Sequence, residues 1–174
     1  MKKNKIFVAC DTTNIKKIKK IINQTKNSNI KIGYKFGLQF LNSKHGRKFV
    51  SKLKNKIIFA DYKLHDIPYT CASAIKAIKD LNISYLTNHI SSGPEALKAA
   101  KKVSGKIKLV GVSILTSLDD KSVKQVGFGK KVKDLVKSQA KLASKAKLDA
   151  MVCSPLEVKL VKKIKRKNNI NWLL

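Results

Sequence analysis

The sequence of 174 residues is poor in arginine, in acidic residues and in long apolar runs. Arg47 and Arg166 are the only arginines among 39 basic residues, which face 10 acidic ones and give a formal net charge of +29. No apolar run approaches the ~18 residues that span a membrane, and the short run before Asp11 cannot form the core of a signal peptide. We therefore expect neither a membrane protein nor a secreted one, and a location in the cytoplasm.

The shortage of arginine bears on the positive charge, which would otherwise indicate a nucleic-acid-binding protein. Proteins that read base edges favour arginine, because its planar guanidinium binds guanine at two points. Lysine, isoleucine and asparagine, the residues of AT-rich codons, are all abundant here. We interpret the charge as codon bias that leaves solvated lysine faces, and we expect only non-specific adhesion to polyanions at low salt.

Cysteine is also scarce. Cys10, Cys71 and Cys153 are scattered, odd in number and without C-x-x-C spacing. This pattern predicts neither a disulfide framework nor a zinc site. We interpret the three thiols as small apolar groups in a reducing compartment.

Short apolar runs bounded by polar residues recur along the chain and predict buried strands. The runs are Ile6–Cys10, Ile30–Gly33, Ile57–Ala60, Tyr85–Thr87, Ile107–Leu115, Ala150–Cys153 and Ile170–Leu174. The segments between them carry apolar stripes of helical period, for example at Ile15, Ile18 and Ile22. Strands and helices that alternate in this way predict a parallel sheet. We expect six complete βα units and the start of a seventh strand, in a single domain over residues 1–174.

The distribution of polar residues decides between two parallel-sheet folds. A doubly wound nucleotide-binding sheet carries a glycine-rich turn after its first strand, and residues 10–14 contain no glycine. Polar residues instead lie on or after several strands, namely Asp11, Lys31, Asp61, Lys63, His89, Thr116 and Ser117. This pattern is typical of a (β/α)₈ TIM barrel, whose eight units usually need ~250 residues. We therefore expect an incomplete TIM barrel within residues 1–174.

The densest group of polar residues is D-Y-K-L-H-D-I-P-Y-T at 61–70. Asp61 and Lys63 are two residues apart, so on an extended backbone they face the same side. With Lys31 from the neighbouring strand and Asp66 from the loop, they would form an alternating Lys–Asp–Lys–Asp array that keeps all four groups charged. The alternative is a surface ion pair in a lysine-rich protein. The position directly after an apolar strand favours a catalytic site.

This segment resembles the D-x-K-x-x-D-I-P-x-T signature of the orotidine 5′-phosphate decarboxylase family. Further segments resemble that family in order along nearly the whole chain. They are V-A-C-D at 8–11, K-I-G at 31–33, N-H-I-S-S-G at 88–93, S-I-L-T-S-L at 113–118 and L-D-A-M-V-C-S at 148–154. The resemblance implies a (β/α)₈ barrel and a homodimer whose active sites lie at the subunit interface. It also implies a lyase that converts orotidine 5′-phosphate to UMP, in the last step of UMP synthesis, with neither metal nor organic cofactor.

The resemblance also implies roles for individual residues. Asp61 would lie against the substrate carboxylate, Lys63 would donate a proton to C6, and Lys31 would hydrogen-bond the substrate and the aspartates. The remaining implied contacts are Asp11 with the ribose, Thr116 near the pyrimidine, and Asp66, Ile67 and Thr70 in the partner's site.

Two phosphate-binding features of the family bear on the activity expected of residues 1–174. The family holds the substrate phosphate with a loop after the seventh strand and a Gly-Arg pair after the eighth, and we expect residues 1–174 to lack both. We therefore expect little or no activity from a truncated stretch of this kind.

One alternative function is that of a non-catalytic partial barrel that acts as a binding or accessory protein. Another is a Mg²⁺-dependent 3-keto-L-gulonate 6-phosphate decarboxylase, which shares D-x-K-x-x-D; the I-P-Y-T continuation at 67–70 and Thr116 favour the orotidylate enzyme.

Overall fold

The structure, a computed structural model, describes residues 5–26, 29–165 and 171–173. Strands and helices alternate along the chain, as the sequence predicts. The strands are β1 (Lys5–Ala9), β2 (Lys31–Gly37), β3 (Ile57–Leu64), β4 (Tyr85–His89), β5 (Lys108–Val112), β6 (Ala150–Val152) and β7 (Asn171–Leu173). The helices are α1 (Ile15–Thr25), α2 (Leu38–Leu41), α3 (Gly46–Ser51), α4 (Pro68–Ala77), α5 (Pro94–Val103), α6 (Asp120–Gln125), α7 (Val132–Lys145) and α8 (Val158–Lys165). Of the seventh predicted strand, Ile170 and Leu174 lie outside the described residues.

The chain forms two compact units, one of residues 1–62 with 77–86 and the other of residues 63–76 with 87–174. A single domain over residues 1–174 remains a prediction. In the first unit the strand order is β1-β2-β3 and the strands are parallel. The register places Phe7 opposite Gly33, and Gly37 opposite Asp61. The carboxyl ends of these three strands therefore meet at one edge of the sheet.

Aromatic packing holds the first unit together. The ring of Phe7 makes edge-to-face contacts with Phe59 and Tyr85, each at a centroid distance of 5.1 Å. Such pairs stabilise a core beyond the area they bury. Helix α1 begins where the Asn14 side chain accepts a hydrogen bond from the Lys17 amide, and it buries Ile18 completely.

The second unit follows the same plan, with strand order β4-β5-β6-β7. Strands β5 and β6 are parallel, with Val110 opposite Ala150. Asp149, just before β6, accepts a hydrogen bond from Lys101 of α5 at 2.6 Å and another from the Leu109 amide at 2.8 Å. One carboxylate thus ties a helix and two neighbouring strands together.

Strands β2 and β3 extend four residues beyond the apolar runs that predict them. Strand β2 continues from Gly33 to Gly37, and β3 continues from Ala60 to Leu64. Both extensions carry lysines, which sequence patterns assign to loops. The extensions bring charged side chains into the sheet at the carboxyl ends of the strands. None of the helices within the described ranges is long and apolar enough to cross a membrane.

Candidate active site

The carboxyl ends of β1, β2 and β3 gather three charged side chains within the first unit. Lys35 lies on β2 and Asp61 on β3, with 3.7 Å between the Lys35 Nζ and an Asp61 carboxylate oxygen. The Asp61 side chain is only 11% exposed and that of Lys35 30% exposed. A carboxylate so far removed from water needs a cation beside it, and Lys35 supplies that cation.

Asp11 lies in the loop directly after β1, next to the same edge. Its Oδ1 atom lies 3.7 Å from the place that a Cβ on Gly37 would occupy. The Asp11 carboxylate therefore reaches the carboxyl end of β2, where Lys35 lies two residues earlier. The sequence prediction of Asp11 as a site residue stays a prediction, and its position is compatible with that role.

The structure does not bring Lys31 to this edge. Lys31 begins β2, with Lys5 as its register partner, and lies six residues before Gly37. At about 3.3 Å per residue, that is roughly 20 Å from the carboxyl end of the strand. Lys31 lines a small cavity of about 190 Å³ together with Lys26 and Lys56. The place that we expected Lys31 to take beside Asp61 is held by Lys35.

A short sequence pattern points to Lys35 as well as to Lys31, although our prediction named only Lys31. The pattern K-x-G occurs twice in succession, as K-I-G at 31–33 and as K-F-G at 35–37. The prediction of Lys31 rests on the first copy, which resembles the family's second-strand segment. The second copy precedes the loop after the strand, which is where the strand-end argument locates a site.

Cys10 lies beside these charges and is fully buried. The pKa of its thiol is raised to about 11, mainly by burial and also by the negative charge of Asp11, while the positive charge of Lys35 lowers it. The thiol is consequently protonated at neutral pH. Since the thiolate is the nucleophile, Cys10 is unsuited to covalent catalysis and acts as a small core residue.

Lys63 belongs to the second unit and has an unusual backbone. Its φ angle is +49°, in the left-handed region. Our expectation that Lys63 faces the same side as Asp61 assumed extended backbone, and the backbone departs from that form at Lys63. The Lys63 amide donates a 2.7 Å hydrogen bond to the Thr87 hydroxyl. Thr87 and its neighbour Asn88 are buried polar residues on β4. The sequence predicts Thr87 only as the end of an apolar run and Asn88 only as the start of the segment at 88–93 that resembles the family.

The predicted residues of the following loop and helix are exposed. Asp66 accepts a hydrogen bond from the Ile67 amide at 2.7 Å, and Thr70 lies in the first turn of α4. The Ile67 side chain is 64% exposed. Thr116 lies exposed in the loop between β5 and α6. The structure thus leaves these four side chains accessible to a substrate or a partner.

Three further polar residues, Ser154, His65 and His89, make defined local contacts. The Ser154 hydroxyl accepts a hydrogen bond from the Leu156 amide, while Glu157 accepts one from the Ser154 amide, which together form a capping box. The rings of His65 and His89 lie 5.0 Å apart, and His65 hydrogen-bonds the Ser91 hydroxyl at 3.3 Å. Within residues 5–26, 29–165 and 171–173, no three His, Cys, Asp or Glu residues are arranged to hold a metal ion.

Charged side chains at the carboxyl ends of parallel strands that follow one another in chain order define the class of (β/α)₈-barrel enzymes. Comparison with known proteins identifies the family within this class. The model of the orotidine 5′-phosphate decarboxylase / HUMPS family matches residues 4–173. The chain belongs to this family.

Relatives and solved structures agree with that assignment. The chain is 39% identical over 163 residues to the orotidine 5′-phosphate decarboxylase of Wolbachia sp. subsp. Brugia malayi, and covers 71% of that relative with 91% of its own length. It is 36% identical over 170 residues to the enzyme of the same name from Carboxydothermus hydrogenoformans, covering 70% of it with 92% of its own length. The crystal structure of orotidine 5′-phosphate decarboxylase from Lactobacillus acidophilus superposes with a TM-score of 0.78 at 31% identity, over 91% of this chain and 75% of that one.

These solved structures confirm the fold class predicted from the sequence. The described parts of the chain, residues 5–26, 29–165 and 171–173, hold six βα units and part of the seventh strand of a (β/α)₈ barrel. The family resemblance drawn from the motifs is likewise confirmed.

Proposed function

We propose that the protein decarboxylates orotidine 5′-phosphate to UMP, the last step of UMP synthesis, without metal or organic cofactor. Relatives 36–39% identical to the chain bear the name of that enzyme. The observation that carries the proposal is the ion pair between Lys35 and the nearly buried Asp61. It lies at strand ends that a barrel enzyme uses for chemistry, and β3 also bears Lys63.

Asp61 and Lys35 would prepare the substrate for loss of CO₂. Asp61 lies against the substrate carboxylate, and two like charges in a site shielded from water repel each other strongly. That repulsion falls as the carboxylate leaves as neutral CO₂, so it favours the transition state over the bound substrate. Lys35 balances the charge of Asp61 and keeps its carboxylate in place.

Lys63 would supply the proton. The bond between C6 and the carboxyl carbon breaks, the electron pair stays on C6, and CO₂ departs. The Lys63 ammonium stabilises the negative charge on C6 and then transfers a proton to it, which gives UMP. The neutral amine regains a proton from solvent. One proton is consumed and one CO₂ released per turnover, so no oxidant or reductant is needed.

The other predicted residues would bind the substrate. Asp11, beside Gly37, is proposed to hydrogen-bond the ribose, and Thr116 to lie near the pyrimidine. Asp66, Ile67 and Thr70 are proposed to complete the site of a partner subunit. The exposure of Asp66, Ile67, Thr70 and Thr116 supports these roles, because each side chain is accessible.

A homodimer is part of the proposal. Ile67 is 64% and Tyr69 79% exposed, so the loop after β3 presents two large apolar side chains to solvent. Adjacent exposed apolar groups mark a contact surface. Sedimentation should give a dimer, and Tyr69→Glu should shift it toward monomer, whereas Lys98→Glu on α5 should not. A wild-type protein that sediments as a monomer would contradict the proposed homodimer.

A cytoplasmic location completes the proposal. Cys10, Cys71 and Cys153 are all buried free thiols, and unpaired cysteines are typical of reducing compartments. Fractionation of cells that produce the tagged protein would test this, with recovery in the membrane or secreted fraction as the contrary result.

Turnover of orotidine 5′-phosphate is the central test. Pyrimidine absorbance and UMP formation should show decarboxylation, and Lys63→Ala should lower kcat at least about 100-fold, since it removes both the proton donor and the charge at C6. Lys98→Ala is a matched control, because Lys98 is an exposed lysine paired with Glu95. Because residues 1–174 are expected to lack the phosphate-binding loop and the Gly-Arg pair, the assay uses a chain that includes both. In that chain, no turnover by the unsubstituted protein, or full turnover by Lys63→Ala, would overturn the proposed function.

A further inference from the structure

Lys63 differs from the other residues that adopt a left-handed backbone. Among the described residues other than glycine, Asn55, Lys63, Asn82 and Lys147 have positive φ angles. Asn55, Asn82 and Lys147 lie in the turns that precede β3, β4 and β6, where helix ends and turns commonly require this conformation. Lys63 instead lies inside the bounds of a strand, near its carboxyl end.

The left-handed backbone at Lys63 is unfavourable in isolation. In this conformation the Cβ of any residue other than glycine lies too close to the following carbonyl oxygen. Such conformations persist only where the surroundings hold them, and they concentrate at functional sites. The contacts around Lys63 should therefore include groups that hold its backbone.

Two buried side chains of β4 make those contacts. The Thr87 hydroxyl accepts the Lys63 amide hydrogen at 2.7 Å, and Thr87 is only 1% exposed. The next residue, Asn88, is fully buried and donates from its Nδ2 to the Leu64 carbonyl at 3.0 Å. The same Nδ2 also donates to the His89 carbonyl and the Ser92 hydroxyl. The backbone is thus held by side chains on both sides of the Lys63–Leu64 peptide bond.

We infer that Thr87, supported by Asn88, is a positioning residue that fixes the direction in which the Lys63 side chain leaves the backbone. The inference rests on the proposed function, in which Lys63 is the proton donor. Lysine has a long and flexible side chain, so a fixed starting direction reduces the number of conformations that miss C6. In this role Thr87 acts through the Lys63 backbone, because its buried hydroxyl accepts the Lys63 amide hydrogen.

This role predicts a particular kinetic effect. Thr87→Val keeps the shape of the side chain and removes the hydroxyl, so the ammonium of Lys63 should be misplaced while the substrate still binds. A misplacement of about 1 Å costs up to about 100-fold in rate. We expect kcat to fall about 10- to 100-fold with KM within about threefold, and Thr87→Ser to restore kcat.

A matched control separates positioning from general loss of a buried hydroxyl. Ser104 is 3% exposed and its hydroxyl donates to the Lys101 carbonyl at the end of α5. Ser104→Ala should leave kcat unchanged. If Thr87→Val and Ser104→Ala lower kcat equally, or if Thr87→Val has the kcat of the wild-type protein while Lys63→Ala is inactive, the positioning role is wrong and the proposed function stands.

The backbone at Lys63 can also be followed without turnover. Only Lys35 and Lys63 follow a tyrosine in this sequence, so ¹³C-carbonyl tyrosine with ¹⁵N-lysine selects these two amides in an NMR spectrum. Thr87→Val should move the Lys63 resonance and speed its hydrogen exchange about tenfold, whereas the Lys35 amide should serve as an unchanged internal control. An unchanged Lys63 amide would overturn the inference irrespective of activity. A changed Lys63 amide in a protein without turnover would instead overturn the proposed function and, with it, the catalytic consequence of the positioning.

Discussion

The two halves of β2 carry the same short pattern and serve different purposes. In the amino half, Lys31 is followed by Ile32 and Gly33, and Gly33 lies against the ring of Phe7. In the carboxyl half, Lys35 pairs with Asp61. Gly37, two residues after Lys35, lies beside Asp11. One half of the strand packs the core, and the other presents charge at the strand end.

The difference shows that position along a strand outweighs a three-residue pattern. In a parallel sheet the carboxyl ends of all strands meet at one edge, so side chains from different strands converge only there. Lys31 lies at the opposite end and its cavity neighbours include Lys26 and Lys56 rather than an aspartate. Among the residues that line the cavity at Lys31, none is a carboxylate that its ammonium could balance.

The largest expected effect separates the two lysines directly. Lys35→Ala should lower kcat/KM for orotidine 5′-phosphate at least about 100-fold, because it removes the ammonium that pairs with the nearly buried Asp61 and that is proposed to hold its carboxylate in place. Lys31→Ala should change kcat/KM by less than about threefold. Steady-state kinetics on the two variants, with circular dichroism to verify folding, would measure this. Equal losses for both lysines would contradict the assignment.

A smaller effect is expected on stability, and it should fall on the other half of the strand. A Cβ at Gly33 would lie 2.6 Å from a Phe7 ring carbon, whereas one at Gly37 would meet only the Asp11 carboxylate at 3.7 Å. Gly37 also has φ of −89°, which any residue can adopt. Gly33→Ala should therefore destabilise the protein by about 1–3 kcal/mol through overpacking, and Gly37→Ala by less than about 0.5 kcal/mol.

Urea unfolding followed by circular dichroism would compare the two glycine variants. Phe7→Leu in the Gly33→Ala background provides the matched control, since a smaller side chain at position 7 should recover part of the lost stability. Equal unfolding midpoints for Gly33→Ala and Gly37→Ala would mean that the two halves do not differ in packing.

The sequence predicted the apolar centres of the strands better than their ends. An apolar run such as Ile57–Ala60 is typical of a strand buried on both faces, so it predicts the position of β3 correctly. The four residues that extend β3 to Leu64 include Asp61 and Lys63, and charged residues after an apolar run look the same whether they continue the strand or leave it. The segment at 61–70 is recognisable because its motif is long, whereas the K-x-G pattern is short enough to occur twice.

Contacts between residues distant in sequence were beyond prediction. Nothing in a one-dimensional pattern indicates that the Lys63 backbone is left-handed or that the Thr87 hydroxyl accepts its amide hydrogen. Threonine in a strand is ordinarily explained by β propensity. Its role at position 87 follows only from the 2.7 Å contact with a residue 24 positions earlier.

The smallest effect at neutral pH concerns Cys10, which reports on the charges at the carboxyl edge. Burial raises the pKa of this thiol from 9.0 to about 11, with Asp11 raising it and Lys35 lowering it. Because the folded-state pKa exceeds the unfolded one, the stabilisation is fully present below pH 9 and is lost as the pH rises through about 11. Comparing urea unfolding of the wild-type protein and Cys10→Ala at pH 7, 9 and 10.5 should show a stability difference that is constant up to pH 9 and then shifts against the wild-type protein.

Lys35→Ala should move the onset of thiol reactivity to higher pH and Lys31→Ala should not, since only Lys35 lowers the Cys10 pKa. A thiol that titrates near pH 9 in the folded protein, or one that responds to both lysines, would contradict the separation of the two halves of β2.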